Sequence, residues 1–299
     1  MKVLPFISIV VLFGIISSAG CSSGSGMAGK PAVVVRLDAD TASLAASGVS
    51  RYVTPASAAL AYDAFGPDVR RVFPDLEVAA AAYGEAAERA RSLLPDVDFP
   101  DTVFTIISPY RQSVVLVEGQ VYAALNHFLG PDFEGYASFP AAIRATKTPE
   151  RLPVEIAEAV IRSHAAGEVP DGTLVAAMMH EGAVYYVLRQ LFPDADEATI
   201  LGFSSDDMRW LRDNEQALWR QLVESDQLFS RDPVVQSRLL ESAAEVGAAG
   251  APPARAARYT GYRMACALMD REPQLSASEL LSAELATSAD LLQRVRYAP

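Results

Sequence analysis

The chain has 299 residues, of which 51% are apolar, and a formal net charge of −12 at neutral pH. This apolar content excludes wholesale disorder and can supply a sizeable core. The acidic balance argues against nucleic acid as a partner, because nucleic-acid binders need a basic surface to displace counterions. It also disfavours electrostatic docking onto anionic lipid. Any membrane attachment must therefore come from a covalent lipid or a hydrophobic span.

Residues 1–20 have the pattern of a lipoprotein signal peptide. Lys2 precedes an apolar run from Val3 to Ile16, which has the length of a signal-peptide core and is short for a membrane span. Small residues then lead to Cys21, so we expect cleavage before Cys21 and a covalent lipid, with acyl chains such as palmitate, on its thiol. Ser18 stands where an aliphatic residue is usual, and an ordinary secretory signal cleaved near Ala19 is the alternative. No other cofactor is expected.

Residues 21–30 are rich in Ser and Gly and predict a flexible tether to a single domain over residues 31–299. Anchoring by two or more acyl chains is stable, because each buried methylene adds about 0.8 kcal/mol. Ser22, rather than an aspartate, follows Cys21, which favours the outer membrane over the inner one. We expect the domain to lie in the periplasm of the cell envelope, with other envelope proteins as partners.

The first half of the domain is predicted to contain both helices and strands. Val33–Leu37 is typical of a short strand. Thr54-Pro55 is typical of a helix start and predicts a helix that ends at about Phe65. A second, Ala-rich helix is predicted from Pro74-Asp75 to near Pro95. The clearest β signal consists of two β-branched runs, 102–107 and 113–117, joined by residues 108–111. This pattern predicts a β-hairpin.

From Val121 onward the pattern is helical. The predicted helices are Val121–Leu129, Pro140–Thr146, Pro153–Ala166, Asp171–Leu191, Asp206–Leu228 with Ser205 as cap, one from Asp232-Pro233, Pro253–Asp270, Ser276–Leu285 and Ser288–Tyr297. The predicted fold class is therefore mainly α (α+β), a helical domain with one small β-sheet or hairpin.

Two glutamates are predicted to point into the interior. His180-Glu181 begins an H-E-x-x-H zinc motif, but Val184 stands where the second histidine should be, so one metal ligand is missing. The surrounding helix is apolar nearly all round, which is typical of a buried helix. Glu215 falls on the apolar stripe of the helix after Ser205. A buried carboxylate must be paired, hydrogen-bonded, metal-bound or protonated.

Glu181 and Glu215, with His180 and His164, form the candidate buried polar site. The two glutamates are either a pair of functional carboxylates or separate structural groups that hold helices together, and the residues favour the structural role. The chain has three histidines, no G-x-S-x-G turn and no P-loop, so neither catalytic residues nor metal ligands are assigned. His127 is predicted to be packed or capping. Cys266 is the cysteine left after Cys21, which excludes a disulfide framework.

Several segments occur in the order and spacing of one known family. They are Arg36-Leu37-Asp38, Phe99-Pro100-Asp101-Thr102-Val103, Ala123 to Gly130, Met178-Met179-His180-Glu181-Gly182, Trp210 with Asn214-Glu215 and Trp219, Ala257 to Tyr262, and Arg296-Tyr297. With the leader, they make nearly the whole mature chain resemble the gliding-motility lipoprotein B proteins of Bacteroidetes. The resemblance implies a role in gliding-motility machinery or the allied type IX secretion apparatus.

That family in turn resembles gluzincin-type zinc peptidases whose metal ligands have decayed. In such peptidases an E-G-x-A segment supplies a glutamate ligand, and Glu181-Gly182-Ala183 is similar, with Ala183 one place early. The active helix would then be Pro153–Ala166, which contains Glu155, Glu158 and His164 but no H-E-x-x-H. The resemblance therefore implies a degenerate zincin-like fold, a pseudo-peptidase without catalysis and without metal.

Three functions follow from these observations. The preferred one is a membrane-anchored, periplasm-facing lipoprotein that acts as a non-catalytic accessory or scaffold of the gliding or type IX secretion machinery. The alternative is a metallopeptidase-like enzyme with an atypical zinc site, built from His180 or His164 with Glu181 and Glu215. A ligand-binding carrier is the third, and it would need a roomy pocket between the helices. Bound zinc separates the enzyme from the other two.

Overall fold

The computed structural model describes residues 30–39, 44–45, 47–51, 53–166, 172–241 and 251–299. The first elements are strand β1 (Val33–Arg36) and helices α1 (Pro55–Val72) and α2 (Glu77–Leu93), followed by strands β2 (Thr102–Ile106), β3 (Val114–Val117) and β4 (Gln120–Ala124). The prediction of a mainly helical α+β fold with one small sheet is confirmed. The predicted leader and most of the tether lie outside the described residues.

After β4, the regular elements of the described chain are helices joined by turns and loops. They are α3 (Ala141–Arg144), α4 (Leu152–Ile161), α5 (Leu174–Leu191), α6 (Glu197–Leu201), α7 (Ser205–Asp213), α8 (Glu215–Glu224), α9 (Pro233–Leu240), α10 (Ala256–Arg271), α11 (Ala277–Leu280), α12 (Ala283–Ala286) and α13 (Leu291–Val295). A π-helical turn, Arg162–Ala166, continues α4. Within the described part of the chain, none of these helices is both long and apolar enough to cross a membrane.

The sheet has the strand order β1-β2-β4-β3, with parallel pairing except between β3 and β4. The predicted hairpin between 102–107 and 113–117 is therefore wrong, because β4 lies between those two strands. The hairpin joins β3 to β4 instead, through Glu118 (φ 52°) and Gly119 (φ 77°). Two central residues with positive φ form the two-residue turn whose twist matches a β-hairpin.

The predicted helix Val121–Leu129 is also wrong. Its first part is strand β4, and its second part begins with a single 3-10 turn, Leu125–His127. Val121 to Ala124 are all buried, so this strand lacks the alternation of apolar and polar residues that identifies a half-exposed strand. A short apolar run of this kind cannot be told from a buried helix by periodicity alone.

Several helices differ from their predicted bounds, and the predicted helix Ser276–Leu285 is two short helices, α11 and α12. Helix α1 continues through Pro67 to Val72 rather than ending near Phe65, and Val69 is buried in this added turn. The predicted helix Asp206–Leu228 is broken at Asn214, whose backbone N–H and side-chain Nδ2 both donate to the carbonyl of Trp210. Such side-chain bonds compete with helix continuation.

The N-cap of α7 also differs from the predicted one. It is Ser204 rather than Ser205, and its hydroxyl accepts from the N–H of Asp207 over 3.0 Å.

Apolar residues form a large core on one face of the sheet and a smaller one on the other. Helix α5 lies within the large core and packs along α10. The two helices touch at two glycines, since a Cβ on Gly182 would lie 2.0 Å from the carbonyl oxygen of Gly261. This backbone contact places α5 and α10 side by side and sets the geometry of the candidate site.

Candidate functional site: a buried network of arginines and glutamates

Four charged side chains line one face of α4 and the turns beside it. Arg151 comes just before the helix, and Glu155, Glu158 and Arg162 follow at intervals of four, three and four residues, which place them on one helix face. Arg151 donates from Nε to Glu155 over 2.9 Å and from Nη2 to Glu158 over 3.0 Å. Arg162 donates to the other oxygen of Glu158 from Nε and Nη2, over 3.0 and 2.9 Å. Glu158 is therefore held between two guanidinium groups.

Glu181 of α5 extends the network to a second helix. Arg162 donates to both of its carboxylate oxygens, from Nη1 over 2.8 Å and from Nη2 over 3.0 Å. This bidentate geometry is the strongest arrangement of an arginine and a carboxylate. The Glu181 side chain is only 16% exposed, so the pair is largely shielded from water. The pair therefore ties the end of α4 to the middle of α5.

Arg258 of α10 brings in a third helix. Its Nε lies 3.6 Å from Glu181 Oε2, and its Nη1 donates to the hydroxyl of Tyr185 over 3.0 Å. Tyr185 follows Glu181 by one helical turn on α5. The same guanidinium also donates from Nε to the carbonyl of Leu240 at the end of α9. Arg258 therefore links α10 to both α5 and α9.

The balance of charge keeps both central carboxylates ionised. Burial raises the pKa of Glu158, but the guanidinium groups of Arg162 and Arg151 outweigh it, so the pKa lies below the ordinary value. Burial likewise raises the pKa of Glu181, and Arg162 and Arg258 bring it below the ordinary value. Burial lowers the pKa of Arg162, but Glu158 and Glu181 raise it well above its usual range. Glu158, Glu181 and Arg162 therefore stay charged at neutral pH.

The residues around Glu181 do not fit a zinc ion. Structural and catalytic zinc sites need three or four nitrogen, sulfur or oxygen ligands, and both oxygens of Glu181 accept hydrogen bonds from Arg162. Val184 is a buried core residue, His180 is buried beside Glu181 on α5, and His164 is exposed on the π-helical turn. Across the described residues there is no group of three or more His, Cys, Asp or Glu side chains that could hold a metal ion.

Glu215 belongs to a different cluster. It is the first residue of α8 and accepts from Tyr297 over 2.7 Å, from Arg263 over 2.8 Å and from Tyr259 over 3.1 Å. Trp219 packs edge-on against the Tyr297 ring, with 5.1 Å between the ring centres. Burial raises the pKa of Glu215, but the hydrogen bonds from Tyr297 and Arg263 bring it below the ordinary value. This glutamate joins α8, α10 and the C-terminal residues, and it shares none of these partners with Glu181.

Comparison with known proteins supplies the family. A family model described as "Gliding motility protein GldB", which represents lipoproteins, matches residues 49–299, a span that contains both clusters. The chain belongs to the GldB family. No curated protein and no solved structure matches the chain. The resemblance to the gliding-motility lipoproteins is therefore confirmed, and the likeness to zinc peptidases stays a prediction.

The sequence segments that resemble the GldB family meet in space. The Asn214-Glu215 segment, the Tyr259 segment and the Arg296-Tyr297 segment come together in the Glu215 cluster. Near the sheet, Arg36 pairs with buried Asp38, 2.6 Å away, and the Thr105 hydroxyl donates to the same carboxylate. The family pattern therefore marks residues that join distant parts of the chain.

The sequence reasoning missed the arginines of the network. Glu158 and Arg162 are four residues apart on one helix, and this spacing could have identified their pair. Arg258 had no comparable signal, because its contact with Glu181 depends on the crossing of α5 and α10. Arg255 was also missed. It is buried, its Nη2 donates to the carbonyls of Ala142 and Gly202, and burial lowers its pKa to about 10.

His127 was expected to be packed, and it is buried at the end of β4. Its Nε2 lies 2.9 Å from the carbonyl oxygen of Tyr110, and its Nδ1 lies 3.0 Å from the ammonium of Lys147. In the neutral ring, Nε2 therefore donates to the carbonyl and Nδ1 accepts from the lysine. Burial and the nearby Lys147 charge lower the pKa of His127 to about 4. Burial also lowers the pKa of Lys147.

Proposed function

We propose that this GldB-family chain is a lipoprotein anchored through Cys21 whose domain faces the periplasm, where it acts as a non-catalytic accessory or scaffold of the gliding-motility or type IX secretion machinery. The family name supports the link to motility. The small residues before Cys21 support the site of lipid attachment. The outer membrane is the proposed location, because Ser22 follows the cysteine. The proposed partners are proteins of the cell envelope.

The bidentate pair of Arg162 and Glu181 carries the proposal that the domain is not catalytic. Glu181 stands where the resemblance to peptidases would place a zinc ligand, and an arginine occupies both of its oxygens. A guanidinium stays protonated at neutral pH, so it cannot act as a general base, and it has no open coordination site to replace that of a zinc ion. In this proposal the network joins α4, α5 and α10 and presents a rigid surface to partners.

The test is complementation of a strain that lacks the gene, with surface spreading and secretion of a type IX cargo as readouts. Glu181→Met alone leaves Arg162 and Arg258 short of a carboxylate, and we expect a loss of about 3–5 kcal/mol in unfolding free energy with failure to complement. The double variant Arg162→Met with Glu181→Met removes the pair while keeping similar volume. We expect it to regain most of the stability and to restore both readouts.

Two further variants keep this test decisive. Arg209→Met removes an exposed surface pair with Asp206 and should leave stability and complementation unchanged. Glu181→Gln keeps the shape of the side chain and part of its hydrogen bonding, so it should complement wherever it accumulates. A folded double variant, or a folded Glu181→Gln, that fails to restore spreading and secretion would contradict a structural role for the carboxylate.

A further inference from the structure

An apolar groove lies where α1 turns into α2. Its volume is about 420 Å³, and its walls include Val72, Phe73, Leu76 and Val78, with Pro149 and Pro153 on the opposite side. Val78 is 84% exposed, the highest value among the large apolar side chains that the structure describes as exposed. An apolar groove with an exposed valine at its rim is typical of a surface that binds a protein, a ligand or a membrane.

The rim of the groove is acidic. Asp75 and Glu150 line it and are exposed, and exposed Glu77 lies in the sequence between the lining residues Leu76 and Val78. Three carboxylates at the edge of an apolar surface would repel an anionic lipid surface. They would attract the ammonium groups of a zwitterionic one. Among membrane lipids, phosphatidylethanolamine therefore fits the groove by charge.

The described chain begins on the same helix. The N–H of Ala32 donates to the carbonyl of Ala80 on α2 over 3.0 Å. A Cβ on Gly84 would lie 2.3 Å from the carbonyl oxygen of Lys30, so the glycine lets the chain lie against the helix at this point. Ala32 lines a small cavity together with Leu76 and Ala79, and these two residues also line the groove. The groove is therefore close to the point where residues 21–30 join the domain.

The length of the segment before Lys30 limits how the domain can sit on a membrane. Eight residues separate Cys21 from Lys30. The span from Cys21 to Lys30 is at most about 30 Å when fully extended, and a flexible chain of this length averages about 16 Å from end to end. A domain of this size is about 45 Å across. The α2 side of the domain must therefore stay near the lipid.

We propose that the groove between α1 and α2 docks on the phosphatidylethanolamine surface beside the lipidated Cys21, with Val78 in the headgroup region and the rim carboxylates beside ammonium groups. The inference rests on the lipid at Cys21 given under the proposed function. A short tether gives the groove an effective concentration in the millimolar range at the lipid surface, so a weak contact is enough to orient the domain.

The experiment uses the mature lipidated chain, produced in a bacterial host and reconstituted in vesicles of phosphatidylethanolamine and phosphatidylcholine. Mass spectrometry first establishes the lipid on Cys21, which also makes that thiol unreactive. In a Cys266→Ala background, an environment-sensitive dye is attached at Val78→Cys or, as a matched control, at Val234→Cys. Val234 is 72% exposed and is the second residue of α9. The measured quantity is quenching of each dye by a lipid that carries a nitroxide at its headgroup.

We expect severalfold stronger quenching at position 78 than at position 234, and a decrease at position 78 when phosphatidylglycerol replaces part of the phosphatidylethanolamine. Equal quenching at both positions on a lipidated chain would overturn the docking and leave the proposed function intact. Stronger quenching with phosphatidylglycerol would overturn the assignment of the lipid. An absent lipid on Cys21 would overturn both the docking and the proposed anchor.

Discussion

Two interior glutamates, Glu181 and Glu215, are each paired with an arginine. Glu181 and Glu215 are 16% and 17% exposed, and each has an arginine and one or more tyrosines within its cluster. Their position in the interior could be predicted from the apolar stripes around them. Their partners could not, because Arg162 lies 19 residues before Glu181 and Arg263 lies 48 residues after Glu215. Such pairs depend on the fold and not on local spacing.

His127 gives a prediction at the same scale. Its pKa is lowered from 6.5 to about 4 in the folded protein, so between these values the unfolded chain binds the extra proton. Stability therefore falls as the pH falls through this window. We expect His127 to account for a loss of about 2 kcal/mol in unfolding free energy between pH 6.5 and pH 5. Urea unfolding at several pH values measures it.

Two variants separate this effect from other titrations. His127→Gln should remove the pH dependence between pH 6.5 and pH 5, whatever it does to stability at pH 7. His164→Gln, at an exposed histidine, should keep the dependence of the parent protein. Glu158, Glu181 and Glu215 have lowered pKa values, so their contribution to stability is complete above about pH 4.5 and is lost only in more acidic solution. A pH dependence that His127→Gln leaves unchanged would show that another group is responsible.

At the scale of elements, the crossing of α5 and α10 depends on two small residues. A glycine inside a helix costs about 0.5–1 kcal/mol relative to alanine, so its presence at Gly182 and Gly261 points to a packing need. A Cβ at either position would lie within about 2 Å of a backbone oxygen on the opposite helix. The contact also sets the distance between Glu181 and Arg258. The sequence showed Glu181-Gly182 but could not show that Gly182 is needed for the close approach of α10 at Gly261.

Gly182→Ala tests this contact. The added methyl group should force the two helices apart, and we expect a loss of about 1–3 kcal/mol or more in unfolding free energy. Gln190→Ala, at an exposed position on the same helix, should change stability by less than about 0.5 kcal/mol. Urea unfolding of both variants makes the comparison. A Gly182→Ala protein as stable as the control would mean that α5 and α10 do not touch through these backbones.

The success of the element predictions depended on the sequence signals at the ends of each element. The sequence and the structure both end helix α5 at Leu191, shortly before Pro193. Its N-cap is Thr173, and the predicted start at Asp171 lies outside the described residues. Strand β4 was missed because all its residues after Gln120 are buried and show no alternation. The turn at Glu118-Gly119 was the available signal for the β3–β4 hairpin. Its first residue is a glutamate with positive φ, which is uncommon, and no local rule identified it.

At the scale of the whole molecule, the composition and the helical periodicity were enough to predict a mainly helical α+β domain. The sheet order was not predictable from the chain, because parallel pairing of β1, β2 and β4 joins strands that are far apart in sequence. The segments shared with the family indicated contacts between distant parts of the chain, which periodicity could not. These segments meet in the Glu215 cluster and beside β1. The two clusters together join α4, α5, α8, α9, α10 and the C-terminal residues.

The most direct test of the account is the zinc content of the purified mature chain after zinc supplementation, measured by elemental analysis beside unfolding with and without added zinc. We expect far less than one zinc ion per chain and an unfolding midpoint that zinc does not change. We expect the same for Glu181→Gln. One zinc ion per folded chain, lost in Glu181→Gln, would contradict the central claim that Arg162, and not a metal, is the partner of Glu181.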